Sequence, residues 1–523
     1  MKNKEKLLKI LHILTIIFVI IQPVIDMDYL VYDFLDQFGL PRLSTVIRFL
    51  VLPALVLAGF ILKEKKKKPV FIGAFVYGLS LAVYFVLHCR QAQAIFERLL
   101  FTDNFWFGTW QELTYVLTLV LPYGLTYLLY HEEFTQKEMR QMYTSLSALI
   151  SIPILIGDLF VFGRSTYYGF TVANLFSWFA GIYDWYHPRT LASKFFFNEG
   201  NTIGILLFML LPLMYWCLVS AENRKEKIRT GILILIQSMS MQILSTRVAT
   251  YGAIVIPLLF LAFAILDKLL NHTAYLTKKL IVFCLASAAL FGAFLNFTPA
   301  IQNQKVDAVN DVALLHNGMA EEGREILANA EDLIPGTPEY INFYVYMFEV
   351  YGIGARYIQS VPSMYYTEYY NYQVDPKFWV DVCFMDVFDR VNGRQIETIF
   401  FNYKYKELSA AEKILGMGYS TFMNGSIVLE RDFKQQIYTL GYLGFVLTIG
   451  PWLILLLYGV YMFLRHFRRL ATLENMCLAA ALGAGLGSAY LSGHMLDQFI
   501  TSSFMALIVA VLLQKVNAVR KEG

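Results

Sequence analysis

Stretches of apolar residues long enough to cross a bilayer recur along most of this chain, and they constrain its fold more than any other feature. A spanning helix needs roughly 17–25 predominantly apolar residues. Twelve such stretches can be placed, at about 8–26, 44–62, 69–88, 106–130, 142–162, 197–219, 231–247, 249–267, 279–297, 434–464, 475–493 and 496–515. In hydrocarbon every backbone polar group must be satisfied within the protein, so runs of this length are helical. Hydrophobic residues make up 57% of the 523 and charged residues 16%, too little charge to cover a soluble surface of this size. The chain reads as an all-α polytopic membrane protein with about twelve transmembrane helices. Its N-terminal run, MKNKEKLLKILHILTIIFVIIQPVI, has a basic start and no small-residue cleavage site, so it reads as a retained first helix.

Charge then orients the spans. Lys2, Lys4 and Lys6 precede the first, and every second connection afterwards is rich in Lys and Arg: 63–68, 131–140, 222–229, 267–279, 465–469 and the tail 515–523. Basic connections stay on the cytoplasmic side. The expectation is a multi-pass protein of the cell membrane with both termini cytoplasmic. The organisation follows: transmembrane helices one to nine in 1–297, a large extracytoplasmic loop domain in 298–433, and helices ten to twelve in 434–523. A net charge of +3 gives no reason to invoke nucleic acid. The five cysteines are scattered singly with no CxxC, so no metal site is expected. Cys89 and Cys383 are the pair that could meet on an oxidising side. No cofactor is implied.

Within the loop, Thr337-Pro338 reads as an N-cap followed by Pro at the first helical position, and 319–333 as a short helix. The Tyr-rich stretch 363–379 has two readings, stacking on sugar rings or anchoring at the headgroup layer.

Several residues could carry chemistry. Arg247, in LSTRVATYG at the outer end of a span, is costly there unless paired or hydrated, or else snorkels to the interface. Arg394 lies in the later half of the loop with Asp389 and Arg390 close by; such an arginine is either functional or a solvated surface charge. Glu430 and Asp432 sit at the mouth of the tenth span, where partial burial tunes a carboxylate as a base. Alternatively Asp432 caps that helix and Glu430 is a surface charge. In FFFNEGNTIG (195–204), Asn198, Glu199, Gly200 and Asn201 open a span, an arrangement that suits either an anion or a plain helix start. His316-Asn317 and His494 are the histidines to weigh as bases; a structural role is the other reading of each.

The order of these signals is more specific than any one of them. Gly200-Asn201 with Gly204 opening a helix, Ser245-Thr246-Arg247 at the end of a later one, Gly393-Arg394 and Leu415-Gly416-Met417-Gly418 in a large loop, then Gly441 and Gly444 in the next helix, resemble the O-antigen ligase and polymerase superfamily over roughly 195–464. The resemblance implies a C-type membrane glycosyltransferase fold and metal-independent transfer. The implied donor is an undecaprenyl-diphosphate-linked glycan and the acceptor a lipid-linked or glycolipid molecule, both presented among membrane lipids. It also implies that Arg247 and Arg394 hold the diphosphate, which bidentate arginines suit chemically. The family often places a His-Asn pair ahead of the glycine of the following helix. This chain has Glu430 and Asp432 there instead, and they are the expected catalytic carboxylates, with Asn201 and His494 as secondary candidates. The leading expectation is a cell-surface polysaccharide polymerase. A ligase attaching O-antigen or teichoic-acid-type glycan to a glycolipid anchor, and a non-enzymatic lipid-linked oligosaccharide flippase, are the alternatives.

Overall fold

In the computed structural model the described residues are 2–522 without 66, 167–174, 176, 177, 179–191, 303–319, 329, 331, 332, 360, 391 and 392. The described residues are almost entirely helical; the one isolated bridge among them joins Ser165 and Ser193. Each of the twelve stretches falls on a helix, the tenth on the pair Asp432–Thr448 and Gly450–Arg465. Among the described residues nine helices are long and apolar enough to cross a membrane, or ten with that pair counted as one span. Helices Arg224–Leu244 and Leu473–Leu491 fall outside this set. The first shows why: its Gln237, Ser238, Ser240 and Gln242 are fully buried and turned into the protein, where polar groups can bond.

The chain forms two compact units. The first comprises Met1–Ala74, Leu117–Asn303 and Pro451–Gly523. Helix Gly200–Ser220 is its centre, buried over most of its circumference, as expected of a helix that is apolar all round. It packs against helices Gln136–Leu159, Arg224–Leu244, Arg247–Asn271, Leu473–Leu491 and Phe499–Glu522. Polar side chains tie the bundle together. Gln237 donates to the Leu207 carbonyl (2.9 Å) and accepts from Ser147 (2.7 Å), and Ser240 donates to the Ser151 carbonyl (2.7 Å). Such interhelical bonds, with small residues at close contacts, hold helices together where burial of apolar surface cannot.

The second unit comprises Phe75–Val116 and Gln304–Gly450. Its core is aromatic, built on Phe348, Tyr370, Phe378, Trp379, Phe400 and Phe422. Part of the Tyr-rich stretch belongs to this core, while Tyr365, Tyr366, Tyr369 and Tyr372 are half-buried. Tyr370 and Trp379 are fully buried; Trp379 Nε1 donates to the Tyr370 carbonyl (2.6 Å) and the Tyr370 hydroxyl to Asp375 (2.7 Å). Buried Tyr and Trp are stable wherever their polar ends find partners. Thr337 caps helix Pro338–Met347 as expected, accepting from Tyr340 N–H. All five cysteines are free, so Cys89 and Cys383 do not bridge.

Candidate functional site

The glycine motifs of the second unit meet at one point. Helix Asp432–Thr448 is interrupted at Gly441, whose backbone is left-handed (φ 70°, ψ 177°). A break frees carbonyls that would otherwise bond along the helix, and named donors take them up. Met417 N–H donates to the Tyr438 carbonyl (3.0 Å) and Gly418 N–H to that of Thr439 (2.8 Å); the Tyr84 hydroxyl donates to that of Leu440 (2.6 Å). The backbones approach so closely that a Cβ on Gly416 would strike Thr439 O and Gly441 N, and one on Gly441 would strike Ile414 O and Gly416 N. A Cβ on Gly444 would meet the Tyr84 hydroxyl. Leu415-Gly416-Met417-Gly418 and Gly441/Gly444 are therefore two halves of one backbone joint.

Two ionisable residues brace this joint. His88 and Glu112 are both fully buried. His88 Nε2 lies 2.8 Å from Glu112 Oε1 and Nδ1 lies 2.6 Å from the Leu415 carbonyl. Glu112 also accepts from the N–H groups of Tyr419 (2.9 Å) and Ser420 (2.8 Å). Neither residue is singled out by the sequence motifs. The signal was present, since both lie in strongly apolar runs, where an ionisable side chain marks a role by default.

On the segment leading into helix Asp432–Thr448, Glu430 forms an ion pair with Arg394 through Nε and Oε2. Arg394 is 41% and Glu430 29% exposed at the side chain, so the pair is open to a ligand. Ile427 and Leu429, both buried, anchor the segment. Asp432 is the first residue of its helix, with Arg431 at the cap position, and this corrects the N-cap reading. Its side chain is almost completely buried. Glu430 and Arg394, 36 residues apart, are thus brought together, whereas Asp432 points into the protein.

One turn after Arg394 on helix Gly393–Lys406 lies Glu397, a residue the sequence reading passed over. It is 7% exposed, accepts from the Tyr365 hydroxyl at 2.9 Å, and leaves Oε2 buried with no hydrogen-bond partner. Gly393 is what admits that phenol: a Cβ there would lie 2.8 Å from it. Burial, with the charge of Glu430 added, pushes the Glu397 carboxyl up to about 8.

In the first unit, the other motifs also converge. Ser245 ends helix Arg224–Leu244 in the left-handed region (φ 59°), Thr246 holds the N-cap position of the next helix without a side-chain cap bond, and Arg247 is its first residue, exposed. Gly204 leaves the room that the Thr246 hydroxyl occupies, so Gly200-Asn201-x-x-Gly204 and Ser245-Thr246-Arg247 pack directly. Asn201 is half-buried in the first turn of its helix. Arg247 adds a cation to the positive end of a helix, an arrangement that favours anions. His494 adopts φ 60° in the turn before helix Phe499–Glu522, with Nδ1 3.3 Å from Asp497. The first two spans and the connection between them add a second set of charges: Arg42 bonds Asp28 (2.6 Å) and Arg48 pairs with Asp26 (3.0 Å). His316-Asn317 lies outside the described residues.

A family model described as "O-antigen ligase like membrane protein" matches residues 7–519, well beyond the 195–464 that the motifs covered. A comparison with curated proteins finds no match.

Proposed function

The chain belongs to the family of O-antigen ligase like membrane proteins, and from that premise we propose that it is a cell-surface polysaccharide polymerase. Family membership supports transfer of a lipid-linked glycan in the membrane, by polymerase or ligase. In our reading the donor is an undecaprenyl-diphosphate-linked glycan and the acceptor another lipid-linked unit. The observation that carries this reading is the accessible Arg394–Glu430 ion pair in the loop, at the motif positions where the family resemblance put phosphate binding and base.

The proposed mechanism uses the pair as a switch. The donor diphosphate competes for the Arg394 guanidinium, and bidentate contacts stabilise the charge that grows on the leaving group; Arg247 is a second arginine proposed to bind phosphate oxygens. Glu430, released from Arg394, is then free to accept a proton. It takes the proton of the acceptor hydroxyl as that oxygen attacks the anomeric carbon. The bond from the anomeric carbon to the diphosphate oxygen breaks, the lipid diphosphate leaves with the electron pair, and configuration inverts. Glu430 is preferred to Asp432 as base because its carboxylate is accessible and that of Asp432 is buried. Arginines supply the charge stabilisation that a metal gives elsewhere, so transfer is proposed to persist in chelator. The alternating basic connections support cytoplasmic termini and an extracytoplasmic loop.

Arg247→Ala and Arg394→Ala test the assignment in cells. Each is expected to abolish long-chain surface polysaccharide at normal protein level. Unchanged chain length and amount in both would remove the diphosphate site from the account.

A further inference from the structure

Glu397 has no part in the mechanism above, yet its surroundings are those of a working carboxyl group. It sits one turn from Arg394 on the same helix, is 7% exposed, and keeps one carboxyl oxygen buried without a partner. An ionised carboxylate in that position would have fewer donors than normally compensate such burial. Four groups face it: the Tyr365 hydroxyl, which donates at 2.9 Å, the carboxylate of Glu430, the backbone N–H of Glu430, and the guanidinium of Arg394; burial and the Glu430 charge outweigh the two donors and the cation. Two carboxyl groups thus stand beside one guanidinium, and neighbouring like charges resist joint ionisation.

We propose that Glu397 is a positioning residue for glycan transfer, a neutral carboxylic acid that forms with Glu430 a pair holding one proton, and so leaves the Arg394 site able to accept an anion. The inference rests on the reading of Arg394 and Glu430 given above and names what regulates that site. With Glu397 neutral, Glu430 and Arg394 balance, and a diphosphate exchanges one anionic partner of the guanidinium for another. With Glu397 ionised, a second negative charge stands beside Arg394 and opposes the diphosphate. In the transfer step the proton from the acceptor hydroxyl passes to Glu430 while Glu397 keeps its own, so the pair goes from one proton to two and later releases one to water.

The consequence is a pH limit on binding. The Glu397 carboxyl, raised to about 8 by burial and by the Glu430 charge, loses its proton as pH rises through that value. Donor binding weakens there. Binding of undecaprenyl diphosphate to the purified full-length protein in detergent, measured by calorimetry between pH 7 and 9, reads this directly. In the unsubstituted protein the dissociation constant is expected to rise by about tenfold, the order of effect of one added charge beside an accessible cation. Glu397→Gln keeps the shape and an acceptor for Tyr365 but cannot ionise, so its affinity is expected to match at pH 7 and stay level to pH 9. Ionisation of the ligand affects both proteins alike and cancels in the comparison. An equal alkaline loss in Glu397→Gln, or weakened binding of that variant at pH 7, overturns the proposal. Arg394→Ala is measured beside them: if it binds as well as the unsubstituted protein, the diphosphate reading itself fails. If it does not bind while Glu397→Gln keeps the alkaline loss, the inference about Glu397 alone is wrong.

Discussion

Gly416 and Gly441 occupy each other's side-chain space: a Cβ on either would strike the backbone nitrogen of the other, and both have left-handed φ, 87° and 70°. Neither position tolerates alanine. Overpacking and a left-handed backbone each cost about 1–3 kcal/mol, so Gly416→Ala and Gly441→Ala are expected to lower the melting temperature in detergent markedly. Gly459→Ala, where a Cβ meets nothing within 4 Å, is the control and is expected to leave it unchanged or slightly higher. Equal behaviour of all three would show that the joint does not exist.

His88 and Glu112 are expected to act as a unit. Removing one member of a buried hydrogen-bonded pair costs about 1–3 kcal/mol, more where a charge is involved, because the other is left unsatisfied. His88→Ala and Glu112→Ala should therefore each destabilise strongly, and the double variant by less than their sum. Thermal unfolding of the four proteins gives the coupling; strict additivity would contradict it.

How far the sequence could be read follows from these two joints. Bilayer thickness imposes a length on every apolar run, so the helices on which the stretches fall were visible, but among the described residues only nine or ten of them are long and apolar enough to span, fewer than the twelve expected. The glycine motifs were visible as ordered signals. Their pairing was not, because a glycine within a helical pattern does not by itself show a break, and nothing local joins Gly416 to Gly441. The Arg394–Glu430 pair had the same difficulty over 36 residues. Glu397 was hidden by its ordinary helical setting, QIETIF, since its environment is made by Tyr365 from another segment. The share of the aromatic stretch 363–379 that is core (Tyr370, Phe378 and Trp379) could not be told from the half-buried Tyr365, Tyr366, Tyr369 and Tyr372, because composition alone does not show which rings face inward.

Lys404 predicts a pH dependence of stability. It is fully buried among Phe101, Tyr370, Phe400 and Tyr403, with its ammonium 4.8–5.6 Å from those rings, and donates to the Tyr370 hydroxyl (2.8 Å). Burial lowers its ammonium from 10.5 to about 8. A depressed value means that the folded protein binds fewer protons than the unfolded chain between those limits. The contribution to stability is fully present above 10.5 and is lost as pH falls through about 8. Lys404→Met is expected to abolish that slope and to be neutral or stabilising at pH 7. Unfolding curves across pH 7–11 check this, and an unchanged slope in the variant would assign it to other groups.

For the base, Glu430→Gln is expected to reduce transfer by about 100-fold or more, the usual contribution of a positioned base. Asp432→Asn should act mainly through stability, given its burial at the helix start. Transfer rates at matched protein level separate the two, and the reverse ranking would move the base to Asp432.

The most direct test of the central claim is to incubate the purified protein, in excess chelator, with one undecaprenyl-diphosphate-linked repeat unit and to resolve the products by size. The account predicts a ladder of longer lipid-linked chains, lost in Arg394→Ala and Glu430→Gln. A single unextended product, or a ladder that both variants still make at the full rate, would contradict it.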